Sequence, residues 1–268
     1  MGNMRFGLIT PVFDGCIESL ELLYSNIAEQ THENWIWVLC ANKFSEKMAS
    51  FVRSKRELDR RCRIVYLTTN LKDEKNIFSI IANIGKRRNI CIKRTDVDYF
   101  FMMNADSKII DRDMLSKINE ELENNPKNLC IYKIILERGV IYPRFPISKG
   151  KIDSLNYCVS ANTARKVGYP NNADFRTYND VRFFARVFKE CGGDYAFINE
   201  IFCEFNGNKR YRNVITIRGQ NSRLTLQFLN YISYCLHENY LRGLIVVLKE
   251  ILVAAGISPR LLFGDRTN

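Results

Sequence analysis

Short apolar runs alternating with helical periodicity, repeated through the first hundred residues, constrain this chain more than any other feature. Met4–Thr10 (MRFGLIT, ended by Pro11), Trp35–Cys40 (WIWVLC), Arg63–Leu67 (RIVYL) and Tyr99–Met103 (YFFMM) have the length and composition of buried strands. Between them Ile17, Leu20, Leu23, Tyr24 and Ile27 recur at helical spacing, as do Ile77, Ile80, Ile81 and Ile84, and Glu46–Leu58 turns Met48, Phe51 and Val52 to one side. Strands separated by helices of about a dozen residues predict βαβ units, hence an α/β, Rossmann-type domain around a mostly parallel sheet.

In such sheets ligands bind beyond the carboxyl ends of the strands. The residues to inspect are therefore Thr10–Asp14, Ala41–Lys43 and Asn104–Ser107. After about residue 125 the alternation loosens into a loop-rich stretch, Val140–Asp153, followed by a helical segment at Asp180–Glu190. Leu224–Ala255 reads as one or two further helices. The expected organisation is a catalytic-type domain over 1–215 and a C-terminal helical extension over 216–268.

Nine cysteines are scattered singly with no CxxC pair, which excludes a disulfide framework or zinc site and fits buried thiols in a reducing compartment. No signal-peptide organisation is seen at the start. The longest apolar stretch is broken by Lys249-Glu250 and falls short of the ~20 residues a membrane span needs. A cytoplasmic protein is expected, at most peripheral at the membrane's cytoplasmic face. Leu224, Phe228, Tyr231, Ile232 and Cys235 form one apolar stripe and Leu241, Leu244, Ile245, Leu248 and Leu252 another, suited either to an anionic membrane surface or to packing on the domain or a second copy.

Lys and Arg outnumber Asp and Glu by 40 to 29, so the partners should be anionic. Two basic clusters stand out: Lys86, Arg87, Arg88, Lys93 and Arg94, and the stretch Phe205–Arg223. The first reads as a solvated helix face, or as a phosphate clamp beside the strand that leads to Asp106. The second would suit phosphate, nucleic acid or an anionic membrane, though no helix-turn-helix, zinc finger or RRM pattern accompanies it. Asp106, just beyond a buried strand, is either a turn residue or a divalent-cation ligand. Asp180 at a helix start is either an N-terminal anion or a general base. His32 and His237 have no acid–nucleophile motif near them and read as packing or surface residues. Walker A, GxGxxG and HExxH motifs are all missing from the sequence.

Taken in order, FGLITPVFDG, SLELLYSNIAEQTHENWIWVLCANKFSE, KRRNICIKRTDVDYFFMMNADS, NYCVSANTARKVGYP and NDVRFFAR resemble the motifs of the family 2 glycosyltransferases of GT-A fold. The likeness covers residues 4 to about 205. It implies that Thr10, Pro11, Phe13 and Asp14 line a nucleotide pocket. Asn42 would stand where the family's Asp accepts from the base ring N–H, and Arg88, matching the arginine of the Arg-Asn segment, would join it in binding the donor nucleotide. Asn104 and Asp106 would be the ends of the Asp-x-Asp motif, with Asp106 the Mn²⁺ or Mg²⁺ ligand. Asp180 would be the base that deprotonates an acceptor hydroxyl, with Arg186 in register behind it. The implied reaction is an inverting transfer from a nucleotide-diphosphate sugar, UDP-linked, to a glycan or lipid-linked glycan acceptor. Nucleic acid is not an expected partner, and any oligomer would form through the C-terminal helices. Asn104, Ala41-Asn42 and Asn179 each replace an acid of the family pattern, which removes negative charge from the metal and base sites. The rival readings are a basic nucleic-acid-binding module and an inactive glycosyltransferase-like scaffold at a membrane surface.

Overall fold

The computed structural model describes residues 3–59, 63–71, 77–136, 139, 141–143, 152–171 and 179–205. They belong to one compact unit, Met1–Ala173 with Asn179–Val214. Its strands are β1 (Phe6–Val12), β2 (Trp35–Ala41), β3 (Ile64–Thr68), β4 (Tyr99–Met102), β5 (Ser107–Ile109), β6 (Leu129–Ile135), β7 (Ile141–Tyr142), β8 (Tyr157–Ser160) and β9 (Ala196–Phe205). Its helices are α1 (Ile17–Ala28), α2 (Glu46–Leu58), α3 (Ile77–Arg94), α4 (Met114–Asn124), α5 (Ala161–Val167) and α6 (Asn179–Glu190). The strands join in one sheet of order β3-β2-β1-β4-β8-β6-β9-β5, with β7 beside β6. The half from β3 to β4 is parallel throughout, as the βαβ pattern requires. Antiparallel pairs enter where β8 joins β4 and β6, and β6 pairs in parallel with β9.

The period of two along β1 assigns its side chains to the two faces of the sheet. Phe6, Leu8 and Val12 pack with Trp37, Leu39 and Phe101 against Leu20, Leu23 and Ile27 of α1, Phe51 and Val52 of α2, and Ile118 and Leu122 of α4. Ile9 joins Val38, Phe100 and Met102 on the other face, under Cys91 and Ile92 of α3, Ala164 of α5, and Phe183 and Val187 of α6. Both faces are therefore covered, which is why the central strands read as continuous apolar runs rather than alternating ones.

The strand boundaries differ from the sequence expectation by one or two residues, and at two of them the physical reason is plain. Pro11 does not end β1, which continues to Val12. Pairing with β4 stops at Ile9, so the N–H that proline lacks is not required on that side. β3 begins at Ile64 rather than Arg63. The Arg63 N–H and guanidinium are both tied to Asp59, and the guanidinium stacks 3.6 Å over the Trp35 ring. Beyond residue 125, β6, β8 and β9 complete the sheet, although their pairing partners lie far off in sequence. Cys16, Cys40, Cys91, Cys130, Cys158 and Cys203 are buried free thiols and Cys191 is partly buried. His32 is buried against Phe6 with Nε2 on the Met4 carbonyl oxygen, a packing histidine. Among the described residues no helix is long and apolar enough to cross a membrane. Cys62, Cys235, His237, most of Val140–Asp153, all of Phe205–Arg223 beyond Phe205, and the C-terminal stripes lie outside the described residues.

Candidate active site

The ends of β1, β2 and β4 carry the residues singled out from the sequence. Thr10 is fully buried, and its hydroxyl accepts from the Trp37 indole N–H at 3.0 Å; it braces the floor of the site from within. Pro11 is half-buried, and Phe13 and Asp14 are exposed beside it. Asp14 opens a 3-10 turn, Asp14–Cys16, in which the Cys16 thiol donates to the Phe13 carbonyl oxygen at 2.9 Å. Burial, with Asp14 and Asp106 adding like charge, pushes that thiol up to about 11.

Asn42 follows β2. Its Oδ1 accepts from Leu71 N–H at 2.9 Å, and its backbone oxygen accepts from Asn70 N–H at 2.7 Å. The side chain is thus oriented by the segment after β3, with one of its oxygen's two acceptor positions already used. At the end of β4 the chain reverses through Asn104-Ala105-Asp106-Ser107. Asn104 N–H donates to Ser107 Oγ at 2.9 Å and Ser107 N–H to the Asn104 carbonyl oxygen at 3.0 Å. Asp106 sits half-buried in this turn.

Arg88 ties the strand end to α6. Its side chain is only 2% exposed. One terminal nitrogen, Nη1, donates to Asp180 Oδ1 at 2.6 Å and to the Tyr169 hydroxyl, while Nη2 donates to Asn104 Oδ1 at 3.0 Å. The guanidinium also lies 4.7 Å from the Tyr169 ring centroid. The basic cluster is therefore not one solvated face. Arg87 and Arg88 are buried, whereas Lys86, Lys93 and Arg94 are exposed, and Lys86 and Lys93 line a groove against Arg165 and Lys166. A helix presents successive residues about 100° apart, so a run of cations cannot all face one way.

Asp180 is the second residue of α6, with a side chain 32% exposed. Asn179 before it is buried, and Arg186 behind it is exposed. Two further members of the site were not singled out from the sequence. Tyr169 follows α5 and holds Arg88, and Asp153 caps the 3-10 turn Ser154–Asn156 by accepting from Leu155 N–H at 3.0 Å. Asp153 lies close enough to Asp180 and Arg88 for their charges to act on it. The sequence signal for Asp153 was the Asp-Ser-Leu-Asn cap pattern, which by itself marks only a turn.

Burial first, then the Asp180 charge, pushes the Asp153 carboxyl up to about 6, against the opposing pull of Leu155 N–H, the Ser154 hydroxyl and Arg88. In the unfolded chain an aspartate titrates near ~3.9. Between about pH 4 and 6 the folded protein holds a proton that the unfolded chain has lost, so this group's contribution falls as pH rises and is flat above the window. Asp153→Asn keeps an oxygen for Leu155 N–H and removes the charge. It should raise stability at pH 7 by about 2 kcal/mol and flatten the pH 4–6 slope relative to wild type. Denaturant unfolding across that range checks this, and parallel pH curves for the two proteins would contradict it.

Among the described residues no three His, Cys, Asp or Glu side chains gather as a metal cage. What the turn offers instead is one strand-end carboxylate, Asp106. That donor set suits Mg²⁺ or Mn²⁺ held by one or two carboxylates together with a substrate's phosphate oxygens.

S. aureus TarS 1–349 in complex with UDP-GlcNAc matches with a TM-score of 0.61 at 12% identity, over 97% of this chain and 74% of that one. The mannosyltransferase PcManGT from Pyrobaculum calidifontis, in complex with GDP-Man and Mn²⁺, matches with a TM-score of 0.62 at 14% identity, over 94% of this chain and 75% of that one. This chain has a GT-A-like glycosyltransferase fold. No family model matches the sequence, and no curated protein does. The likeness shown is therefore one of backbone path.

Proposed function

We propose that this protein is an inverting, family 2-like glycosyltransferase that moves a sugar from a UDP-linked donor to a hydroxyl of a glycan or lipid-linked glycan acceptor. The observation that carries the reading is the convergence of the β4-end turn and the start of α6 on one buried arginine, which brings an accessible carboxylate to the sheet's carboxyl edge. The fold is shared with proteins solved with UDP-GlcNAc and with GDP-Man plus Mn²⁺. Residues 1–215 would form the catalytic domain and 216–268 a helical extension.

In this reading Pro11, Phe13 and Asp14 border the nucleotide, Thr10 supports them from below, and Asn42 faces the base ring. Asp106 would bind the cation, and a bound Mn²⁺ or Mg²⁺ supplies charge neutralisation for the leaving diphosphate. Asp180 takes the proton of the acceptor hydroxyl. The freed oxygen forms the bond to the anomeric carbon as the bond from that carbon to the diphosphate oxygen breaks, and the electron pair leaves on the diphosphate. Base and leaving group act from opposite sides of the sugar, so no covalent enzyme intermediate is needed.

UDP with Mn²⁺ should raise the melting temperature saturably, by about 5–10 °C at roughly a hundred times its dissociation constant. A panel of UDP- and GDP-sugars offered with hydroxyl acceptors should then yield nucleoside diphosphate. Melting that ignores every nucleotide, together with salt-sensitive binding to nucleic acid, would overturn the reading.

A further inference from the structure

We propose that Arg88 is a positioning residue for Asp180: it pins one carboxylate oxygen so that the other is presented to the acceptor hydroxyl. This rests on the reading of Asp180 as the base. An aspartate at an accessible helix start ordinarily samples several rotamers. Here Oδ1 is held by a guanidinium that cannot itself turn, because its other contacts, to the Tyr169 hydroxyl and Asn104 Oδ1, fix the plane of the fork. Oδ2 has no hydrogen-bond partner among the described residues, and the Asp180 side chain keeps about a third of its surface open.

The arginine is anchored from its own helix. The neighbouring Asn89 clamps Tyr169 by donating to its carbonyl oxygen at 2.7 Å and accepting from its N–H at 2.6 Å. The ring that Arg88 lies against is therefore fixed to α3.

Asn104 now has a physical role. An aspartate there would place a second carboxylate on Nη2 and share the arginine's charge. An amide oxygen accepts the N–H without competing for that charge, which leaves Asp180 as the carboxylate paired with Arg88 among the described residues. The exchange of acid for amide that weakens a metal site also commits Arg88 to the base.

The test compares Arg88→Ala, Arg88→Gln and Arg88→Lys with Asp180→Asn and the double variant Arg88→Ala/Asp180→Asn, in the full chain. Arg88→Ala should lower kcat about a hundredfold, with UDP affinity by calorimetry and donor KM changed less than about threefold. Lysine, lacking the fork, should recover only a minor part, whereas added guanidinium ion should restore turnover to Arg88→Ala and methylammonium should not. The double variant should be no slower than Asp180→Asn alone, because both changes remove the same function. If Arg88→Ala folds poorly, Arg88→Gln and Arg88→Lys carry the same comparison.

Loss of UDP affinity with kcat preserved would make Arg88 a donor contact and overturn the proposal, as would strictly additive losses in the double variant. An inactive Asp180→Asn beside a fully active Arg88→Ala would sink the proposal alone. An active Asp180→Asn, or a wild type that turns over no nucleotide sugar, would sink the functional reading and the proposal with it.

Discussion

Asp180→Asn should abolish most turnover, with kcat about a thousandfold lower and UDP affinity unchanged within about twofold. General-base catalysis contributes typically 10²–10⁴, and an amide cannot take the acceptor's proton. The substitution is nearly isosteric and keeps an oxygen for Arg88 Nη1, so the 2.6 Å contact can survive as a weaker hydrogen bond. What it loses is charge compensation for a guanidinium that is only 2% exposed. Because Asp180 is itself partly solvated, the stability cost should be about 2 kcal/mol rather than the 3–5 of a fully buried pair. That corresponds to a melting temperature lower by about 4–8 °C. Steady-state kinetics at saturating donor, paired with calorimetric UDP binding, separates the two effects. A variant that kept wild-type rate with every acceptor would move the base elsewhere.

Gly85→Ala should damage both stability and activity, although it improves helix propensity. Gly85 lies inside α3, where alanine is ordinarily favoured by about 1 kcal/mol. A methyl group there would overlap the Pro170 carbonyl oxygen, and it would stand 2.9 Å from that carbonyl carbon and 3.0 Å from Asn171 Cα. All three are backbone atoms, so no rotamer change relieves the overlap and the 169–171 segment must move as a piece. We expect a net loss of about 3 kcal/mol, near the upper end for overpacking, lowering the melting temperature by about 6–12 °C. The same displacement would carry Tyr169 away from Arg88, so kcat should fall in the molecules that remain folded. Thermal unfolding and activity on one preparation check this, and a variant as stable as wild type would show that Gly85 is not packed against the 169–171 segment.

The parallel half of the sheet was legible to within a residue or two because its signal is local. A strand buried on both faces must be apolar throughout, and WIWVLC and YFFMM have no other comfortable place. Glu46–Leu58 was legible in full from the spacing of Met48, Phe51 and Val52, and the structure adds a Ser45 cap that accepts from Met48 N–H at 3.2 Å. The second half was harder. β8 is only four residues long, and it owes its place to partners on β4 and β6 rather than to any pattern of its own. Among the site residues, motif order pointed to Asp106 and Asp180. Tyr169 and Asp153 carry no such signal, because a tyrosine after a short helix and an aspartate at the end of a loop look the same whether or not a charge lies across from them.

The sequence by itself determined the α/β class, the parallel half-sheet, and which residues stand at the strand ends, since hydrophobic period and strand length act over a few neighbouring residues. Only the tertiary structure decided that Arg88 is buried while Lys86 is exposed, that Asn104 and Asp180 share one guanidinium, and that Gly85 must stay without a side chain. Each of these depends on contacts between segments that packing alone brings together, and no local pattern encodes a distance of that kind.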